Sequence, residues 1–115
     1  MTPAIREPPE EEKRVSGVNE ELSAAVVVYT RRGHSKAPRG DSGAIIDAFG
    51  PDRGPVLVVE VAELFREANL IPVDWSTMDL NQATDHMIAI MTARHPELTA
   101  EALKAIDWKY SFDWR

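Results

Sequence analysis

Three histidines, His34, His86 and His95, are the side chains of this sequence that could bind a metal or transfer a proton near neutral pH. No two of them are four residues apart, the spacing that places two imidazoles on one face of a helix. The chain has no cysteine, which excludes a thiolate nucleophile, a disulfide framework and a zinc site built on sulfur. The sequence therefore predicts no metal site and no cofactor.

Ser42 is the one serine whose surroundings are typical of a nucleophile, because it follows Asp41 and lies between Gly40 and Gly43. A catalytic serine needs a general base that is itself oriented by a third group. Nothing in the sequence orients His34 toward Ser42. Aspartate and serine are also the residue types that cap helices. We therefore interpret the segment as a helix cap and predict no catalytic residue.

A block of positive charge occupies residues 31–39 of a chain whose net charge is −6. Residues 22–40 contain no acid, and their four cations are Arg31, Arg32, Lys36 and Arg39. These side chains could bind a phosphate or another anion, or they could form a solvated connector that complements a helix C-terminus. Four cations are few for neutralising the phosphates of nucleic acid, so binding of nucleic acid is the least favoured function.

An acidic ridge, Glu60, Glu63 and Glu67, repeats at the i, i+3, i+7 spacing of one helix face. Like charges at this spacing repel one another weakly in an isolated helix. A solvated face explains the ridge in most proteins. The alternative is a docking stripe for a basic partner, since surface charges accelerate association with a partner of opposite charge.

The last eight residues contain four of the chain's eight aromatic side chains. If this segment is helical, Tyr110 and Trp114 continue one apolar stripe, and Trp108 and Phe112 lie nearly opposite. If it is extended, all four share one face. We expect the first stripe to be core. The second, with Trp108 and Phe112, is either further core or a contact surface for a partner.

Helix start and stop signals divide the chain into five helical segments. Asn19 is predicted to cap the first helix, and Gly33 is predicted to end it. Asp41 or Ser42 is predicted to cap a short second helix over 44–49, which ends at Gly50 and Pro51. The third follows the Gly54-Pro55 pair and covers 56–68 with a clear amphipathic pattern. Asp79 is predicted to cap a helix from Leu80 to about Arg94, and Thr99 the last one.

Length and composition predict a single domain preceded by a tail. A chain of 115 residues has room for one domain. Residues 1–17, with three prolines and the run Glu10–Glu12, have almost nothing to bury, and we expect them to be a disordered acidic tail that folding does not need. They contain no apolar signal core, and no apolar run approaches the roughly 20 residues that cross a bilayer. Together with the missing cysteines, this suggests a cytoplasmic protein.

The fold expected from these patterns is all-α, a small irregular bundle of four or five helices over residues 18–115. The alternative is an α/β fold with short strands near 24–30 and 56–61, because the first of these segments is rich in β-branched residues.

The function that the sequence favours is a small acidic, non-enzymatic domain that binds a protein partner, as an inhibitor, immunity protein or accessory subunit does. The partner surface is predicted to combine Glu60, Glu63 and Glu67 with Trp108 and Phe112. The alternative is a small-molecule or enzymatic module with a pocket lined by Trp75, His86, Trp108 and Tyr110.

Overall fold

A computed structural model describes residues 18–114 and gives an all-α fold. The helices are α1 (Glu20–Thr30), α2 (Ser42–Leu70), α3 (Leu80–Arg94) and α4 (Ala100–Asp113), and residues 18–114 contain no strand. The predicted helical bundle is confirmed, and the α/β alternative is wrong because 24–30 and 56–61 are helical. Burial of the valines of α1 outweighs their preference for strands. The predicted disordered tail, 1–17, lies outside the described residues.

Helix α1 begins and ends through local hydrogen bonds. The Asn19 side chain accepts from the amide of Leu22 at 2.9 Å, as predicted for an N-cap. The helix ends at Arg31, which adopts the left-handed conformation with a φ of 62°. The prediction that Gly33 ends the helix is wrong, although Gly33 is also left-handed. The chain turns earlier because the returning loop donates to the last carbonyls of α1, from Arg39 to Thr30 and from Asp41 to Tyr29.

Helix α2 consists of two helical parts, 42–49 and 51–70, that meet at a kink. Gly50 has a φ of 88° and a ψ of 173°, which breaks the helical path. The short helix that ends at Gly50 is confirmed, but the following helix begins at Pro51 rather than after Pro55. Gly54 is buried within it, where an added Cβ would lie 2.8 Å from Cα of Ile46. Gly54 therefore permits the two parts to approach closely instead of opening a helix.

Helices α3 and α4 begin at the predicted caps. Asp79 and Gln82 form a capping box, in which each side chain accepts a hydrogen bond from the backbone amide of the other residue. Thr99 accepts from the amide of Ala102 at 3.2 Å. Helix α3 ends at Arg94, before the His95-Pro96 pair. These boundaries agree with the sequence because each depends on local side-chain chemistry.

Helix α1 lies at the centre of the bundle, where it packs against α2 and α4, and α3 packs against α4. The core takes fully buried aliphatic and thioether side chains from all four helices: Val26, Ile45, Leu57, Val61, Met87, Met91 and Ile106. Buried Ser23 joins α1 to the α3–α4 loop by accepting from the amide of Thr99 at 3.0 Å. None of the helices in the described part of the chain is long and apolar enough to cross a membrane.

Candidate functional site

Three aromatic side chains form a cluster where α4 ends against the α2–α3 connector (residues 71–79). This aromatic cluster consists of Trp75, Tyr110 and Trp114. The ring centroids of Tyr110 and Trp114 are 5.9 Å apart, and those of Trp114 and Trp75 are 5.7 Å apart with an interplanar angle of 27°. Both separations lie in the range of favourable aromatic pairs. The cluster thus extends from the core to the surface as three rings in contact, of which Trp75 and Trp114 are stacked and Tyr110 is tilted against Trp114.

The exposed fraction of the side chain increases along this cluster from Tyr110 to Trp75. Tyr110 is buried in the core with 3% of its surface exposed, and this burial raises the pKa of its phenol. Trp114 and Trp75 are 43% and 46% exposed. Leu70, the last residue of α2, is 68% exposed. Large apolar side chains are thus presented to solvent at this end of the bundle.

Trp114 is held in place from two sides. Helix α4 ends before it, and its amide donates to the carbonyl of Tyr110. The indole Nε1–H donates to Oδ1 of Asn69 at 2.8 Å, which connects the end of α4 to the end of α2. The prediction that Trp114 continues the buried stripe of Tyr110 is wrong, because the helix stops at Asp113 and the indole lies at the edge of the bundle.

Trp75 is presented by a hydrogen-bonded turn in the connector. Asp74 Oδ1 accepts from both the amide and the hydroxyl of Ser76, and the Asp74 carbonyl accepts from the amides of Thr77 and Met78. Side-chain bonds of this kind are typical of an Asx turn. The hydrogen bonds from Ser76 also lower the pKa of Asp74. The turn therefore fixes the backbone that carries Trp75 and keeps an ionised carboxylate beside it.

The start of the connector is attached to α3 by His86. Its Nε2 lies 3.2 Å from the carbonyl oxygen of Pro72 and donates to it. This contact gives His86 a positioning role for the connector.

A second cluster of polar groups joins α2 to the α3–α4 loop. His95 lies between two carboxylates, with Nε2 2.7 Å from Glu67 and Nδ1 2.8 Å from Glu97. Glu67 also accepts from Arg94 at 3.0 Å. We call the three residues Glu67, His95 and Glu97 the histidine bridge. Both ring nitrogens donate in the imidazolium form, so the bridge is complete when His95 is charged.

The pKa values of the histidine bridge reflect two opposing effects. Burial favours neutral His95, but the hydrogen bonds and charges of Glu97 and Glu67 outweigh it and raise the pKa of the imidazole. Burial likewise opposes ionisation of Glu67, but hydrogen bonds from His95 and Arg94 outweigh it and lower the pKa of that carboxyl. Groups with a strongly shifted pKa are common in active-site clefts. Here, however, neither ring nitrogen is left to accept a proton from a substrate.

The acidic ridge lies on α2 and is divided by these contacts. Glu67 belongs to the histidine bridge, whereas Glu60 and Glu63 are exposed. Glu63 has only a long ion pair with Arg66, at 3.9 Å. Leu70 follows Glu63 and Glu67 at helical spacing, so the ridge leads along α2 to the end of the bundle that carries the aromatic cluster. The two exposed glutamates remain available to a partner.

Trp108 lies apart from the aromatic cluster. It is half-buried and lines a groove with Arg32, Lys104 and Asp107. Burial, together with the nearby Asp85, raises the pKa of Asp107, and Arg32 opposes this shift. The predicted pocket of Trp75, His86, Trp108 and Tyr110 does not assemble, because Trp108 is two residues from Tyr110 and a helix directs such neighbours to different sides.

Phe112, the other aromatic residue of the predicted partner surface, is 40% exposed. It follows Tyr110 by two residues, so it also lies away from the core-facing stripe of α4. The structure therefore brings neither Trp108 nor Phe112 into the stack of Trp75 and Trp114.

The basic block lies in the α1–α2 loop and is only partly free. Arg32 pairs with Glu101 of α4 at 2.9 Å. Among residues 18–114, the cations Arg31, Lys36 and Arg39 form no ion pair. Arg31 is also the left-handed residue that ends α1. The loop is thus a helix terminus with one cation already neutralised, and anion binding by the block stays a prediction.

Asp41, which precedes Ser42, has a structural role, and the described residues offer no metal site. The Asp41 carboxylate accepts a hydrogen bond from the amide of Ala44 at 3.0 Å, so Asp41 is the N-cap residue of α2. Within the described range, no group of three or more histidines and acidic residues could hold a metal ion.

Sequence reasoning missed the contributions of Trp114, Asn69 and Leu70. Trp114 lies four residues after Tyr110, the spacing of one helix face. It lies at the edge of the bundle rather than in the core because α4 ends at Asp113, and the sequence does not show where α4 ends. Asn69 has no sequence pattern that marks it as the hydrogen-bond partner of an indole. The Trp114–Asn69 contact joins residues far apart in sequence, and no local signal predicts such a pair.

Comparisons with known proteins give no further information about this site. No family model matches the chain. Neither the curated proteins nor the solved structures contain a significant match.

Proposed function

We propose that this chain is a non-enzymatic protein-binding domain and that the aromatic cluster is its contact surface. The observation that carries the proposal is the stacked Trp75–Trp114 pair, in which each indole is nearly half exposed. Tryptophan is enriched among the residues that dominate binding energy, because it buries a large area with few rotatable bonds. The exposed part of each ring contributes no burial free energy to the fold of the monomer.

Both indole rings are held in place before a partner binds, which supports the proposal. Trp114 is fixed by Tyr110 and Asn69, and Trp75 by the turn at Asp74 and by Trp114 itself. Immobilising a flexible side chain at an interface costs about 0.5–1.5 kcal/mol. Because these rings are already held, most of that cost is absent, and a partner gains more of the free energy of burial.

The acidic ridge suggests a basic partner. Glu60 and Glu63 are exposed on the helix that ends at Leu70, and the whole chain has a net charge of −6. Such charges at the rim of an interface mainly accelerate association. A role as an inhibitor, immunity protein or accessory subunit fits this combination. On composition alone, the lack of cysteine favours a cytoplasmic location.

The experiment is a selection of short random peptides, displayed on phage, against three forms of the full chain. These are the wild type, Trp75→Ala and the control Val59→Ala, which removes a 60% exposed valine on α2. We expect the enriched peptides to bind the wild type and Val59→Ala alike. Binding of these peptides to Trp75→Ala should be weaker by about 2 kcal/mol of binding free energy. Failure to enrich any peptide, or equal binding to Trp75→Ala, contradicts the proposal.

A further inference from the structure

Three acidic residues, Asp74, Asp79 and Asp113, lie close in sequence to the Trp75–Trp114 pair, and Arg115, which follows Trp114, lies outside the described residues. The connector, residues 71–79, contains Asp74 and Asp79 and no basic residue. Asp113 immediately precedes Trp114, and its Oδ2 accepts from Lys109 at 2.7 Å. The lysine that lies nearest in sequence to Trp114 is therefore already paired with a carboxylate.

Asp74 is a carboxylate held by the polar groups of its own turn. Both hydrogen bonds from Ser76 go to Oδ1, and these bonds, together with the Thr77 side chain, lower the pKa of Asp74 and keep it ionised. Asp74 is exposed and adjacent to Trp75 in the chain. The turn thus holds an exposed, ionised carboxylate at the residue that precedes an exposed tryptophan.

An exposed indole beside a carboxylate is the arrangement that recognises an organic cation. The face of the indole carries the negative part of its quadrupole and attracts a cation within about 6 Å of the ring centroid. A guanidinium is planar and weakly hydrated, so it can stack on an indole while it donates hydrogen bonds to a carboxylate in its own plane. The ammonium of lysine is a compact, strongly hydrated charge and stacks less well.

We propose that the exposed face of the Trp75–Trp114 pair receives an arginine side chain from a basic segment of the protein partner, with the Asp74 carboxylate as the counter-ion. This inference rests on the proposed function, and it specifies the chemistry of the partner. Asp74 repels phosphate groups, which disfavours nucleic acid or an anionic membrane at the same surface. The exposed Glu60 and Glu63 attract further positive charges of the same segment.

The test is a titration of the full chain with two synthetic peptides that differ only in charge. The first is acetyl-Gly-Arg-Leu-Arg-Gly-amide, and in the second both arginines are replaced by citrulline, which has the shape of arginine without the charge. The signals of the indole N–H groups in a nitrogen–proton correlation spectrum report on Trp75, Trp114 and Trp108 separately. Trp108 is the internal control, because it lies in a different groove.

We expect the arginine peptide to shift the signals of Trp75 and Trp114 in a saturable manner, with Trp108 unchanged. The citrulline peptide should bind about two- to fivefold more weakly, as expected for one exposed cation–π contact. Asp74→Asn, whose side-chain oxygen can keep the turn, should weaken binding of the arginine peptide and leave that of the citrulline peptide unchanged.

Equal shifts with both peptides, no shift with the arginine peptide, or a shift of Trp108 as large as that of Trp75 would overturn the inference. Such a result is distinguishable from failure of the proposed function. If selected peptides still require Trp75, the chain remains a protein-binding domain whose cluster receives an uncharged side chain. If no selected peptide requires Trp75, the proposed function itself fails.

Discussion

Asp41 and Ser42 are neighbours with different roles at the start of α2. The Asp41 carboxylate accepts from the amide of Ala44, whereas Ser42 is an exposed residue of the first turn. A helix N-terminus has several amides without a partner, and a capping side chain satisfies one of them. The same chemistry at Asn19, Asp79 and Thr99 begins the other three helices.

Substitution of the two residues should separate these roles. Asp41→Ala should lower the free energy of unfolding by about 1 kcal/mol, the usual effect of losing an N-cap. Ser42→Ala should change it by less, because Ser42 is not the cap. Urea denaturation followed by circular dichroism measures both. A larger loss for Ser42→Ala would mean that the cap has been assigned to the wrong residue.

The histidine bridge leads to a second expectation at the residue scale, which concerns pH. The folded-state pKa of His95 is raised above its ordinary value of 6.5, so its contribution to stability is full below pH 6.5 and is lost as pH rises through the folded-state pKa. The pKa of Glu67 is lowered from 4.5, so its contribution is full above pH 4.5 and is lost as pH falls through the folded-state value. The bridge therefore stabilises the fold most in mildly acidic solution.

The measurement is the melting temperature between pH 4 and pH 9 for the wild type and for His95→Gln. The wild type should be most stable between about pH 4.5 and pH 6.5, within the limits that the two pKa directions set. His95→Gln should be less stable in that interval and should lose the decline above pH 6.5. Parallel profiles for the two proteins would show that the bridge does not contribute through the charge of His95.

At the scale of the elements, the kink in α2 depends on two glycines with different functions. Gly50 adopts a positive φ that other residues rarely take. Gly54 has no such requirement, but it lies where the two parts of α2 come closest. The kink positions Ile45 and Leu57, one from each part, in the same core.

Replacement of Gly54 by alanine should destabilise the fold. The added Cβ would lie 2.8 Å from a backbone atom of Ile46, so the two parts of α2 must separate. Overpacking of this kind typically costs about 1–3 kcal/mol. Gly43→Ala is the matched control, because its Cβ would meet only the Asp41 side chain at 3.4 Å. Thermal unfolding of the two variants measures the difference, and equal melting temperatures would contradict this account of the kink.

Much of the element structure could be predicted from the sequence, because caps and apolar periods are local. The starts of α1, α3 and α4, the break at Gly50 and the end of α3 at Arg94 were predicted correctly. Helix α2 begins at Ser42, two residues before the predicted start, and Asp41 is one of the two residues predicted to cap it. The role of Gly54 could not be predicted, because the space for its Cβ is decided by a residue in another part of α2. The aromatic cluster was missed for the same reason, since the Trp114–Asn69 contact joins the ends of two helices.

At the scale of the whole molecule, charge and apolar surface lie where the proposed association would use them. The exposed aromatic rings lie at one end of the bundle, and the ridge on α2 leads toward that end. Rings that are buried in an interface govern how long a complex lasts, whereas charges at its rim govern how fast it forms. The two features should therefore affect different rate constants.

Neutralisation of the free part of the ridge tests this division. Glu60→Gln combined with Glu63→Gln should slow the association of a selected basic peptide and reduce its dependence on salt, with dissociation almost unchanged. Glu67 is left intact because its substitution would break the histidine bridge. Surface plasmon resonance at several salt concentrations gives both rate constants. An effect confined to dissociation would place these glutamates inside the contact rather than at its rim.

Two tryptophans distinguish a contact surface at the aromatic cluster from one on another side of the bundle. The dissociation constant of the most enriched peptide is measured for the wild type, Trp75→Ala and Trp108→Ala, after circular dichroism has verified that each variant is folded. A contact surface at the aromatic cluster predicts a loss of about 2 kcal/mol or more for Trp75→Ala and almost none for Trp108→Ala. A loss with Trp108→Ala and none with Trp75→Ala would contradict the claim and locate the partner surface on the opposite side of α4.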